Sequence, residues 1–290
     1  MARLRNTMYS RPAPSSTASY LYYRHRLAVR VMHWINVIAL TVLLASGLNI
    51  FSAHPALYWG KSSYTGRAPV FQIAARATDE EDLIGVTRIF GHEFDTTGVL
   101  GAAADGEDMV ARTFPSWLIL PGDRWLAMAR RWHFFFAWVF VLNGLCYVGY
   151  SIASRHLSRD LAPDAADWRS IGRSVVDHLL FRHPTGDAAK RYNVLQKLAY
   201  LSVIFVLLPL VILMGLAMSP RLDAAIPGWV DLFGGRQSAR TIHFVAAWLL
   251  VAFVLVHVFE VIVSGFWNHL RSMITGRYRI ETKEDNEAAR

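Results

Sequence analysis

Four long apolar runs constrain this chain more than any motif does. Val31 to Phe51, Trp132 to Ser154 and Leu198 to Ser219 carry no charge, and Thr241 to Trp267 carries one, Glu260. Each is long enough to cross a hydrocarbon layer as a helix, which takes about 20 residues. A backbone in lipid must satisfy its own hydrogen bonds, so such runs read as helices. Pro209, in LLPLVILMG, removes one of those bonds and predicts a kink in the third. Of the 290 residues 53% are hydrophobic, more than an ordinary soluble domain carries. The expectation is an all-α membrane protein. Four spans (31–51, 132–154, 198–219, 241–267) form one bundle over 31–267, with an outer loop (52–131), an inner loop (155–197) and tails at 1–30 and 268–290.

Charge orients the bundle, because Lys and Arg near span ends favour the cytoplasmic side. Residues 1–30 hold six Arg and no acid, 155–197 hold eight basic residues, and the tail after Asn268 holds five. The 52–131 segment sets eight basic residues against ten acidic ones, and 220–240 has three basic residues. Both termini and the 155–197 loop are therefore expected in the cytoplasm, and 52–131 outside. The net charge of +8 is then mostly a topology signal. No Lys/Arg stripe with interleaved aromatics calls for nucleic acid, and the expected surroundings are membrane lipid. No cleavable signal peptide is visible, and the first 30 residues read as a loose tail. The single cysteine, Cys146, lies in mid-span, which excludes an internal disulfide and a CxxCH haem attachment.

Of the 11 histidines, His25, His54, His92, His156, His178, His183 and His269 lie in loops or at span edges, where a solvated or interfacial role is the simpler reading. His33, His133, His243 and His257 lie inside spans. An ionisable side chain in a membrane helix is costly and points to function, against the bland reading of a hydrogen bond to a neighbouring helix. His243 and His257 bound HFVAAWLLVAFVLVH. Fourteen residues fall about 40° short of four turns, so both rings leave one helix face about 21 Å apart. Alternating span direction puts His133 at the depth of His243, and His33 near the depth of His257. Two imidazole pairs at two depths suit two bis-histidine haems b, since neutral imidazole is a good iron ligand and two of them fill both axial sites. A bundle core between facing helices is a normal place for such a group. Zinc, which wants about four ligands at one point, and a proton relay, for which only Glu260 is at hand, are weaker alternatives.

Other span residues allow two readings each. Gly47, Gly144, Gly149 and Gly215 leave room for a macrocycle or for ordinary helix packing. Arg30 and Arg271 at the inner ends, and Arg131 and Arg240 at the outer ends, could meet haem propionates or simply snorkel. Glu260 lies three residues after His257, on a neighbouring face. With Asn268 and Arg271 it forms a candidate cytoplasmic-side quinone site, the alternative being a salt bridge or hydrogen bond to another helix. The stretch DWRSIGRSVVDHLLF (167–181) reads as an amphipathic helix along the inner surface.

The histidine pattern resembles the bacterial cytochrome b561 family, which includes the membrane cytochrome b subunits of nickel–iron hydrogenases and of respiratory formate dehydrogenase. The resemblance covers all four spans, and its most specific mark is the pair of histidines in the fourth span, 14 residues apart. It implies two haems b in a bacterial inner membrane, with His33/His257 on the cytoplasmic side and His133/His243 on the outer side. Four segments, AHPALYWG (53–60), RYNVLQKLAYL (191–201), LLPLVILMGLAMSP (207–220) and GFWNHLRSMITGRY (265–278), are similar to thiosulfate-reductase-like cytochrome b subunits. Those accompany exported molybdopterin oxidoreductases. The implied function is electron transfer between membrane quinone and an extracytoplasmic redox partner of that kind. One departure is the long outer loop, whose RTFPSWLILPGDRWLAMARRW (112–132) reads either as a dock for the partner or as a cap on the outer haem. The rival readings are a stand-alone quinone reductase that oxidises a small reductant such as superoxide at the outer face, and a structural anchor whose haems no quinol reduces.

Overall fold

The computed structural model describes residues 18–63, 66–79, 82–180 and 192–282. In chain order its elements are β1 (Ala18–Tyr23), α1 (Leu27–Ser52), β2 (Ala56–Leu57), β3 (Phe71–Ala77), β4 (Leu83–Ile89), β5 (His92–Asp95), β6 (Gly101–Asp105) and β7 (Asp108–Arg112). There follow α2 (Leu126–Ala153), α3 (Ala165–Leu179), α4 (Val194–Ser202), α5 (Leu208–Ala217), α6 (Pro220–Ala225), α7 (Arg236–Val263), α8 (Phe266–Thr275) and β8 (Arg277–Thr282). Four helices are long and apolar enough to cross a membrane: Leu27–Ser52, Leu126–Ala153, Val194–Ala217 and Arg236–Val263. The expected inner-loop and tail residues 1–17, 181–191 and 283–290, which include His183, lie outside the described residues.

Within the bundle α1 packs along α2, and α5 along α7. Small or polar residues sit at the seams: Ala39, Ser46, Ala129, Ala239 and Ala246 are fully buried, whereas Ile38, Leu142, Leu145, Val206 and Leu255 face outward. That is the inverse of a soluble core, as expected where lipid replaces water. Asn143 of α2 donates from Nδ2 to the Met32 carbonyl and to Asn36 Oδ1 of α1, at 2.8 and 2.7 Å. The third span is not a simple kinked rod. A π-turn over Val203–Leu207 joins α4 to α5 just before Pro209. Proline has no N–H for the carbonyl one turn back, and a widened turn absorbs the lost bond.

The fourth helix ends at Val263 rather than continuing to Trp267. Gly265 has φ 111°, a left-handed conformation that breaks the run, and Trp267 belongs to α8. The tails are not loose over the described residues. β1 and β8 pair antiparallel, with Tyr20 opposite Ile280 and Tyr22 opposite Tyr278, so the segment before α1 and the segment after α8 meet at one end of the bundle.

The all-α expectation therefore holds for the spans only. Between α1 and α2 the chain builds a four-stranded antiparallel sheet, β2-β3-β4-β5, and a hairpin, β6-β7. Phe90 and Gly91, both at positive φ, make the tight turn between β4 and β5 that matches strand twist. The hairpin sits on the sheet at glycine: a Cβ on Gly85 would lie 2.0 Å from the Leu100 carbonyl oxygen. The 112–132 stretch is not one amphipathic element, since β7 ends at Arg112 and a short turn (Ser116–Leu118) leads to α2. Leu57, Ile73, Phe114 and Ile119 of this module are buried against Leu48 and Phe51 of α1, with Phe244 of α7 packed on them. The module is thus rooted on the bundle end next to His243.

Candidate functional site

The four span histidines meet in two couples. His33 of α1 faces His257 of α7 with ring centroids 6.4 Å apart and planes at 57°. His133 of α2 faces His243 of α7 at 6.3 Å and 65°. A first-row metal–imidazole bond is about 2.0–2.1 Å long, so two imidazoles on opposite sides of one metal have centroids about 6 Å apart. Both couples meet that spacing. Among the described residues, α7 packs more extensively along α5 than along α1 or α2. The rings bridge the seam between the pairs.

At the His133/His243 couple each Nδ1 is already engaged. His243 Nδ1 lies 2.8 Å from the Val211 carbonyl oxygen, and His133 Nδ1 lies 3.2 Å from Ser46 Oγ. Each bond fixes its ring and leaves Nε2 as the nitrogen available to a metal, the outer-sphere arrangement that orients a metal-bound imidazole. Two glycines make room for these rings. A Cβ on Gly47 would lie 3.3 Å from His133 Cε1, and one on Gly215 would lie 3.4 Å from His243 Cε1. A Cβ at Gly144 would touch nothing within 4 Å, so Gly144 backs no imidazole. At the His33/His257 couple, His33 Nδ1 is buried without a hydrogen-bond partner, and Phe253 stacks on His257 at 6.0 Å and 16°. Paired imidazoles at iron spacing, with a buried ring nitrogen unsatisfied, fit haem b as the group these residues would hold.

The arginines are spent mainly on the backbone. Arg240 donates to the carbonyls of Ala56 (2.9 Å) and His54, tying α7 to the sheet module. Arg30 donates to the Ile274 carbonyl at 2.8 Å, and its Nε is buried without a partner. Arg131 is exposed on α2. More side chains close the module's end of the bundle: Asn49 donates to the carbonyls of Leu120 and Gly122 (3.0 and 2.7 Å), and Thr241 to that of Tyr58 (2.8 Å). Burial and the neighbouring Arg240 cation hold His54 below its ordinary pKa, which keeps it neutral beside this roof.

The three quinone candidates make different contacts. Asn268 Oδ1 accepts from the Arg279 amide (2.8 Å) and from Arg271 (2.6 Å), and its Nδ2 donates to the Arg279 carbonyl (2.8 Å). Asn268 and Arg271 therefore brace α8 against β8. Glu260 Oε1 lies 3.2 Å from Nε2 of His178, on α3. Sequence reading passed over Ser46, the Val211 carbonyl and His178. A hydroxyl in an apolar run was a signal for the first; nothing local marked the other two.

A family model described as prokaryotic cytochrome b561 matches residues 24–276. A protein of Azospira oryzae named as a protein-methionine-sulfoxide reductase subunit, YedZ1, is 28% identical over 238 residues, covering 82% of this chain and 89% of that protein. A protein of Cupriavidus necator named as a Ni/Fe-hydrogenase B-type cytochrome subunit is 27% identical over 157 residues, covering 50% of this chain and 64% of its own length. No solved structure matches. A match that runs from the start of α1 to the end of α8 makes this chain a member of the prokaryotic cytochrome b561 family, multi-pass membrane cytochromes b that hold haem and transfer electrons.

Proposed function

We propose that the chain is a diheme cytochrome b that passes electrons between the quinone pool of a bacterial inner membrane and an extracytoplasmic redox partner. The observation that carries this reading is the pair of imidazole couples at 6.4 and 6.3 Å. His33 and His257 would hold one haem on the cytoplasmic side, and His133 and His243 the other on the outer side. Haem with both axial sites filled supplies one-electron exchange and leaves no open position for oxygen chemistry. Ser46 and the Val211 carbonyl orient the outer rings, while Gly47 and Gly215 give them space. Quinone would bind near Glu260, about one turn below His257. The sidedness rests on the arginine-rich ends that meet at β1 and β8.

The partner is proposed as a molybdopterin-dependent oxidoreductase, on the strength of the four segments similar to subunits that accompany such enzymes. Both named relatives are subunits of redox complexes, which supports a protein partner. A stand-alone enzyme taking electrons from a small reductant such as superoxide is the second reading. The sheet module rooted above the outer couple favours the protein partner, because it covers the end where a small reductant would enter.

A reduced-minus-oxidised spectrum of detergent-purified protein, with haem quantified per chain, tests the reading. The expected result is two haems b in the parent and loss of about one in His257→Ala. One haem in the parent, or none, would overturn it.

A further inference from the structure

We infer that His178 is the proton-exchange partner of Glu260, linking the quinone site to the inner aqueous phase. This rests on the quinone reading above. Glu260 is the one carboxylate in the fourth apolar run, and its side chain is 21% exposed. A carboxylate at that depth is costly unless paired, and the pairing does not come from another spanning helix. It comes from α3, the amphipathic helix between the second and third spans, whose His178 places Nε2 3.2 Å from Glu260 Oε1 and keeps 35% of its side chain exposed. One group thus faces the bundle about 4.5 Å below His257 along the α7 axis, and the other reaches solvent.

The helix that carries His178 is held in register. Asp164 caps its first turn, accepting from the amides of Ala166 and Asp167, both at 2.8 Å. Asp167 Oδ2 also takes Lys197 Nζ of α4 at 2.6 Å, and Lys197 is only 8% exposed. The other titratable groups near the pair are Tyr200 of α4, close to Glu260, and His269 of α8, which meets Ser264 at 3.1 Å one turn after Glu260. On α3 itself Arg173 and Asp177 neighbour His178. Of these, His178 is the group that touches the Glu260 carboxylate.

Oxidation of one quinol to quinone releases two protons and two electrons; the haem that His33 and His257 would hold would supply the one-electron oxidant, taking the electrons singly. Each proton passes to the Glu260 carboxylate, then to His178 Nε2, and leaves through the exposed imidazole. Quinone reduction runs the same sequence backwards. His178 is a positioning and proton-transfer residue, since it touches neither quinone nor haem.

The experiment uses detergent-purified full-length protein and decyl-ubiquinol, following haem reduction by stopped flow from pH 5.5 to 8.5. His178→Gln is expected to slow the quinol-driven step by about tenfold or more, the scale of a lost proton-transfer group, and to flatten its pH profile. Haem content and the dithionite-reduced spectrum stay as in the parent. His178→Lys keeps a cation beside Glu260 but exchanges no proton near neutrality, so it should be as slow as His178→Gln. In redox-difference infrared spectra, the carboxyl band lost in Glu260→Gln should shift its pH midpoint in His178→Gln. Parent-like rate and pH profile in His178→Gln, or full rescue by His178→Lys, would overturn the relay while leaving the quinone site standing. Quinol that fails to reduce the parent, or a Glu260→Gln variant as fast as the parent, would remove the quinone site and the relay together.

Discussion

The His133/His243 couple depends on a hydrogen atom at residue 47. With the Cβ position only 3.3 Å from His133 Cε1, Gly47→Leu must push the ring off its Ser46 bond. We expect the variant to lose about one of two haems per chain, the one at His133/His243, with the inner haem retained; pyridine haemochrome quantification checks this. At the other end, His25 is held down to about pH 4 by burial and then by the Arg24 cation, against an ordinary value of about 6.5. The unfolded chain therefore binds a proton that the folded chain refuses between those values. Its effect is absent above about pH 6.5 and destabilises the fold as pH falls toward 4. Thermal melts from pH 7 to 5 should show a falling Tm, and His25→Gln should flatten that slope. The four span histidines stood out in sequence because an ionisable residue in an apolar run is costly, and the structure brings them together as two couples. The arginines were less legible: Arg240 and Arg30 bond backbone carbonyls, and a carbonyl carries no sequence signal.

Helix α3 shows how an element outside the spans can be fixed. Its apolar and charged faces were readable from DWRSIGRSVVDHLLF; the capping box that starts it, Asp164 with Asp167, is a finding of the structure. The same logic places Asn193 and Gln196 at the start of α4, where they cap reciprocally. The partner of Asp167 was not readable, because Lys197 lies 30 positions away. Removing the cation takes the ion-pair partner from a carboxylate that is 17% exposed, at a cost of up to about 3 kcal/mol. Lys197→Ala should therefore release α3, and limited proteolysis between residues 155 and 192 should become faster. Lys197→Arg should protect nearly as well. The third span teaches a complementary point: Pro209 announced a defect, but only the packed structure places a π-turn at Val203–Leu207 rather than a simple bend.

On the scale of the molecule, two ends with different architecture flank one apolar belt. The arginine-rich end closes with β1 and β8, and the other carries the sheet module. If the module lies outside, an impermeant maleimide should label Val99→Cys on intact spheroplasts, and Arg277→Cys only after lysis, each in a Cys146→Ser background. The reverse pattern would invert the orientation. Hydropathy, charge and histidine spacing by themselves determined four spans, their alternating direction and the depths of the four imidazoles. Those are properties of single helices, where period and length suffice. Only the tertiary structure decided the sheet in 52–131, the pairing of β1 with β8, the bracing of α8 against β8 by Asn268 and Arg271, and the pairing of Glu260 with His178. Strand pairing and side-chain contacts join residues far apart in sequence, and which of many possible partners meet is set by how the helices pack.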